Sequence, residues 1–260
     1  NSQVLYNSIT NAGYCGIRFD GEATVIQGNF VNTTNYVKDD GGGIYSYQVQ
    51  YGNNQHVWPS QRIVRDNIVI NAIGAGAGST EGDQGFGFYF DGQSCNFNVL
   101  HNTTANNSKA GIFVNGGARF NIDSNTVYNS SRQLYIIKIG GAIDDISVNY
   151  NTFVAKEASQ YAAYYEPDAG SMPASFSANN NIYARPIDDD NTIWVDFNGV
   201  NNYYTLAQWK TVSGEDANST KSPIAVSSTA QLRIDYNSTS SETAVYLPAI
   251  YKDMKDNIYP

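Results

Sequence analysis

Two short phrases hold the residues best suited to chemistry. Asp40 to Tyr45 reads DGGGIY and Gly85 to Asp91 reads GFGFYFD, so a glycine-rich aromatic run carries an acid in front in one copy and behind in the other. Two carboxylates flanking a glycosidic bond are the minimal equipment for its hydrolysis, one as acid and one as nucleophile or base. If the phrases lie on neighbouring repeats, Asp40 and Asp91 stand roughly 5 to 10 Å apart, a range that includes both retaining and inverting geometries. Both acids also precede glycine, and each fits a turn equally well.

The elements that must position them come from an internal repeat. An asparagine followed at the second position by an apolar or threonine residue recurs at Asn7, Asn29, Asn67, Asn102, Asn125, Asn151 and Asn181, and each is followed by a second short apolar phrase. Period-two alternation within the phrases predicts strands, and a unit of about two dozen residues cannot bury its own apolar face. Stacking into a parallel solenoid satisfies both requirements. The repeated asparagines then sit at coil corners, bonded to the asparagine above and below or holding a left-handed turn. His101, at such a corner, reads as structural.

Aligning the second phrases on their leading glycine puts Ile17, Ile44, Phe88 and Ile112 in an inward column and Arg18, Tyr45, Tyr89 and Phe113 in an outward one. Two residues on, the outward column reads Asp20, Tyr47, Asp91 and Asn115. Acids and amides among aromatic rings suit a sugar, whose apolar face meets rings and whose hydroxyls meet polar groups. Two intervals are swollen, 38 residues from Asn29 to Asn67 and 35 from Asn67 to Asn102, against 22 and 23 in the plain copies. Insertions on adjacent coils form groove walls. One carries His56 and Trp58, placed to touch substrate. The other carries Glu81 and Asp83, solvated loop charges or, with Asp91, ligands for calcium.

Composition narrows the partners. The chain has 260 residues, is 41% hydrophobic and 15% charged, and carries a net charge of −9, with no basic cluster to track phosphates. Nucleic acid is not an expected partner, and no apolar run approaches the ~20 residues that cross a bilayer. Abundant Asn, Ser, Thr, Gly and Tyr suggest an exported bacterial protein, secreted or held at the cell surface or in the periplasm. Cys15 and Cys95 fall at different places on different coils and are not expected to pair. Residues 1–199 read as coils and 200–221 as a capping helix and linker. In that helix Thr205 is the N-cap, Leu206, Trp209 and Val212 an apolar stripe, and Gly214 the stop. Residues 222–260, with LRIDYN and TAVYLPAI alternating like strands, read as an incomplete β extension. The abrupt ends suggest a longer protein with additional N-terminal coils or domains.

The repeat over residues 1 to about 199 resembles the right-handed parallel β-helix proteins of the pectate-lyase-like superfamily, an all-β fold that hosts several chemistries. DGGGIY and GFYFDG resemble motifs of β-helical glycoside hydrolases related to those acting on fucosyl and xylan linkages, and YTLAQWK with GEDANS resembles a segment of polysaccharide-active β-helix proteins from gut and marine bacteria. The resemblance implies that Asp40 and Asp91 are catalytic, that the substrate is a polysaccharide or oligosaccharide, and that no cofactor is required, with calcium optional. Related sequences often place a second acid after the Asp, where this chain has Phe90-Asp91-Gly92, so Asp39 and Asp20 stand as substitute acid partners. Two alternatives stay open. One is a polysaccharide lyase using Arg132 or Lys138 with calcium; the other is a non-catalytic carbohydrate-binding solenoid.

Overall fold

The computed structural model describes residues 2–47, 60–77, 79–139, 143–167, 170–239 and 241–260. The fold is predominantly β, with one short helix and a small terminal hairpin, built on three stacked parallel sheets visited in turn. The first stacks seven strands in chain order from Gln3–Leu5 to Ser177–Asn179. The second stacks eight, from Ser8–Ala12 to Thr220–Lys221. The third runs Ile17–Arg18, Gly41–Tyr47, Gly85–Asp91, Ala110–Asn115, Arg132–Ile137, Tyr161–Glu166 and Ile193–Phe197, then closes on the antiparallel strand Val200–Tyr204. This is the solenoid-like arrangement that the repeat predicts.

The inward column of the third sheet is Ile17, Ile44, Phe88, Ile112, Leu134, Ala163 and Ile193, all in one register and all in the main core. The glycine that leads each phrase has a steric reason. Just before this column Gly43, Gly87 and Gly111 also face inward, where an added Cβ would collide with Val69, Thr104 and Val127 of the second sheet. Two consecutive inward positions leave no space for a second side chain at this bend.

Seven asparagines form one hydrogen-bonded column. From Asn7 to Asn151, each donates both its backbone N–H and its side-chain Nδ2 to Oδ1 of the next, at 2.9 to 3.0 Å. From Asn29 onward Nδ2 also donates to a carbonyl of the preceding coil's first-sheet strand, those of Val4, Ile26, Val64, Val99, Ile122 and Val148. The left-handed residue is not the asparagine but its predecessor: Tyr6, Gly28, Asp66, His101, Ser124, Tyr150 and Asn180 all have φ between 53° and 67°. His101 is therefore a corner residue, as expected.

The stack ends in a plug. Helix Leu206–Ser213 begins at Thr205 with a complete capping box and stops at left-handed Gly214. Leu206 and Trp209 join the core, and Trp209 stacks on Tyr165 at 5.2 Å, but Val212 is 52% exposed. Three-residue steps fall short of a 3.6-residue turn, so the third member of that stripe rotates off the buried face. Buried Asp216 replaces an eighth asparagine, accepting from Asn181 Nδ2, Ser219 Oγ, Tyr183 Oη and Trp209 Nε1.

The C-terminal expectation needs correction. Neither LRIDYN nor TAVYLPAI forms a strand; the only ladder among the described residues after Lys221 is the two-residue hairpin Tyr251–Lys252 with Ile258–Tyr259. Alternation is nevertheless real, because Leu232 and Ile234 pack on the outward side chains of the second sheet and Tyr236 stacks on Phe30 at 6.0 Å. The segment lies across a sheet face rather than along an edge, so it is extended without ladder partners. Cys15 and Cys95 are both free thiols.

Replacing Asn102 by Ala leaves several buried polar partners unsatisfied and is expected to cost about 3 kcal/mol. Asn7→Ala, at the exposed end of the same column, should cost under about 1 kcal/mol. Urea denaturation of both variants checks the contrast, and equal losses would mean the column is not the cooperative element.

Candidate functional site

The outward register continues far beyond the four residues legible in the repeat. Arg18, Tyr45, Tyr89, Phe113, Tyr135, Tyr164, Trp194 and Tyr203 occupy one unbroken column on the third sheet. Adjacent rings from Tyr89 to Trp194 lie 4.2 to 5.0 Å apart, and Phe86 adds a ring beside Tyr89 and Phe113. One consequence differs from the expected aromatic floor. Tyr45, Tyr89 and Phe113 are buried, because side chains on successive rungs spend their faces on one another. What they offer a ligand is edges and hydroxyls.

Those hydroxyls converge on the two acids. Asp91, paired in register with Tyr47, is buried; its Oδ2 accepts from Tyr45 Oη at 3.0 Å and its Oδ1 from Asn115 Nδ2 at 2.8 Å. The Tyr89 hydroxyl lies near both Asp91 and the Asp40 carboxyl, so the acids of the two phrases have one phenol in common as a neighbour. Asp40 stands at the exposed rim, with a left-handed backbone (φ 54°), and its carbonyl accepts from Tyr14 Oη at 3.0 Å. Its carboxyl is nonetheless crowded: burial first and the Asp91 charge second raise it above the usual aspartate range, while the Tyr89 hydrogen bond pulls the other way. Burial and the same two acids hold Tyr89 well above the ordinary phenol range, so it stays a donor. Tyr14 is pushed up to about 12, chiefly by burial.

Other sequence candidates fall at varying distances from this centre. Asp20 accepts the Tyr47 backbone N–H at 2.9 Å and pairs with Arg18 at 3.4 Å, and Arg18 lies over the Tyr45 ring. They form one shoulder of the site. Asp39 belongs to the loop: its Oδ1 accepts the backbone N–H groups of Ala75 and Gln84, pinning both ends of the second insertion. It is thus committed as an anchor rather than offered as an acid partner. Asp83 is likewise engaged, by the Gly76 N–H at 2.8 Å. Glu81 and Asp83 do not gather with Asp91 around a cation, since among the described residues no group of three or more His, Cys, Asp or Glu could hold a metal. His56 and Trp58 lie outside the described residues.

Sequence reasoning missed Tyr14, whose ring packs 6.4 Å from Tyr45. It also missed the far half of the ring column, Tyr135 to Tyr203. The first gave no signal, since Tyr14 precedes the phrase used for alignment. The second had one: extending the same register through RQLYII, which runs into IIKIGG, and through AAYYEP would have begun it. Comparison with protein-family models, curated proteins and solved structures finds nothing that matches this chain.

Asp40 has a folded-state pKa above its unfolded value, so the fold is relatively favoured while the carboxyl is protonated and loses that advantage as pH rises through the folded pKa. Asp40→Asn is therefore expected to raise Tm at pH 8 and to lose that advantage at pH 3. Thermal melts at the two pH values check this; a lower Tm at pH 8 would contradict the crowding.

Proposed function

We propose that this chain is a right-handed parallel β-helix protein acting on a polysaccharide, and that it hydrolyses a glycosidic bond with Asp40 as general acid and Asp91 as nucleophile or base. The observation that carries the reading is the placement of two acids on adjacent strands of the third sheet, Asp40 just before one and Asp91 at the end of the next, with the Tyr89 phenol near both. Hydrolysis needs one carboxyl protonated and the other not, and environments that separate two acids supply that difference. Burial and the Asp91 charge favour the neutral form of Asp40. Asp91 accepts two direct hydrogen bonds, from Tyr45 and Asn115, that hold its oxygens in place. Tyr89 is the positioning group between them. A secreted, cell-surface or periplasmic location in a bacterium fits this role, and calcium remains an optional ligand rather than a participant in these steps.

The binding-module reading draws on a different observation, the long register of aromatic side chains, which needs no acid to hold a glycan. One assay separates the readings. The protein is incubated with a panel of plant and algal polysaccharides while new reducing ends and unsaturated-product absorbance are followed together. Reducing ends without absorbance, reduced about 10²–10⁴-fold in Asp91→Asn and in Asp40→Asn, are the expected result. Unsaturated ends would replace this reading with the lyase, and binding without any product would leave only the binding module.

The pH profile carries a second test. Because Asp40 must be protonated, kcat/KM should fall on the alkaline side, at a pH above the ordinary aspartate value. Tyr89→Phe removes the hydrogen bond that favours ionised Asp40, so that limb should move to higher pH. A limb that stays in place in Tyr89→Phe would remove Asp40 as the acid.

A further inference from the structure

Along the same outward face, two coils past the strand of Asp91 and so roughly 10 Å along the stack, the chemistry changes sign. A column flanking the rings reads Gly42, Phe86, Ala110, Arg132 and Tyr161. Arg132 spreads its guanidinium over three members of the ring column, its carbon 5.0 Å from the Tyr135 centroid, 5.2 Å from Tyr164 and 4.9 Å from Trp194. The residue is partly exposed, and among the described residues its one side-chain hydrogen bond runs from Nη1 to Ser131 Oγ at 3.4 Å. Nε is buried without a partner, and among the described residues Nη2 has no hydrogen-bond partner either.

No carboxylate among the described residues comes within ion-pair distance of Arg132. In a chain of net charge −9 this is an unusual place to leave a cation uncovered. A second one stands beside it. Lys109, on the coil before, accepts the Arg132 backbone N–H at its carbonyl at 3.0 Å and has its pKa lowered by burial and then by the Arg132 charge, with Glu81 and Asp39 acting the other way as smaller influences. Two cations that repel each other at a partly desolvated surface are stabilised by an anion between them.

The surroundings specify what carries that anion. Unlike the rings near Asp91, those at this end keep open surface: Tyr135, Tyr161 and Trp194 are partly exposed and Tyr203 is 44% exposed. Tyr161 bridges Trp194 and Tyr203 at 5.1 and 5.8 Å, making an aromatic wall next to the guanidinium. A ring platform beside a planar fork of donors fits a sugar ring bearing an acidic group.

We propose that this patch is a binding subsite for an anionic sugar unit, whose carboxylate or sulfate is held by Arg132 and Lys109 while its ring lies against Tyr161, Trp194 and Tyr203. The inference rests on the groove being a saccharide site but not on catalysis at Asp40 and Asp91. It makes the favoured substrate an acidic glycan long enough to reach from the carboxylate pair to this wall.

Titration calorimetry with three hexasaccharides of matched length tests it: a uronate oligomer, its carboxyl-reduced neutral counterpart and a sulfated oligomer. Wild-type protein should bind one of the acidic oligomers about tenfold or more tighter than the neutral one, with affinity falling as salt rises. Whichever acidic oligomer is preferred identifies the anion. Arg132→Gln should lose about tenfold or more for that oligomer and nothing for the neutral one, and Arg132→Lys should recover part of the loss. Equal binding of neutral and acidic oligomers, or no binding of either acidic one, overturns the subsite. So does an Arg132→Gln variant that weakens all three alike, since that marks Arg132 as a brace for the rings. Arg132-dependent acidic binding with no polysaccharide cleaved would defeat the hydrolase reading alone, whereas cleavage of neutral glycans indifferent to Arg132 would defeat the subsite alone.

Discussion

The asparagine column is the constraint on which the rest of the molecule depends. Each corner between the first and second sheets forces a left-handed residue, and at six of the seven corners that residue is not glycine. Such conformations cost roughly 1–2 kcal/mol each. At the buried corners from Asn29 to Asn151, the asparagine that follows offsets the cost by satisfying two donors of its own and one carbonyl of the preceding coil's first-sheet strand. Because every rung uses the same oxygen in the same way, the column also sets the register of the coils. A coil shifted by one residue would lose its asparagine bonds on both sides.

That register decides what happens on the opposite, outward face of the third sheet. Once coils are locked at the sheet spacing, residues at equivalent positions lie about 4.8 Å apart, close to the stacking distance of aromatic rings. Rings in such a column satisfy one another's faces and become a wall rather than a row of separate platforms. Polar groups at the rim of the wall are then held by ring hydroxyls, as Asp91 is by Tyr45 and Glu166 by Tyr164. The carboxylate pair is thus a product of stacking geometry as much as of local sequence. Two acids separated by 51 residues meet because one precedes its strand, the other ends its strand, and both strands occupy adjacent coils.

The second insertion fits this scheme as an addition to the repeat. It is tied down at both ends by Asp39, whose neighbour in the chain, Asp40, stands exposed near Tyr89. Two adjacent aspartates therefore have different surroundings, Asp39 anchoring the second insertion and Asp40 left at the exposed rim. The C-terminal segment applies a comparable economy elsewhere, covering the apolar outer side of the second sheet with Val226, Leu232, Ile234 and Met254.

Much of this was legible without coordinates because it is local and repeated. The seven asparagines, the inward and outward columns from Arg18 to Phe113, and the helix from Thr205 to Gly214 each follow from spacing and capping chemistry that act over a few residues. What spacing could not supply was anything set by contact between distant segments. That Asp39 anchors a loop while Asp40 faces Asp91 depends on where residues 75 and 84 return, and the sequence DD treats the two alike. That Tyr45, Tyr89 and Phe113 bury their faces depends on the ring above and below each. That the alternating C-terminal segment makes no ladder depends on its lying across a sheet instead of at its edge. By itself, then, the sequence determined the repeat, its strands and which side chains point outward, since these are fixed by period and by neighbours along the chain. Only the tertiary structure decided which of those side chains touch, because contact between coils is set by the stacking distance and by where each insertion returns.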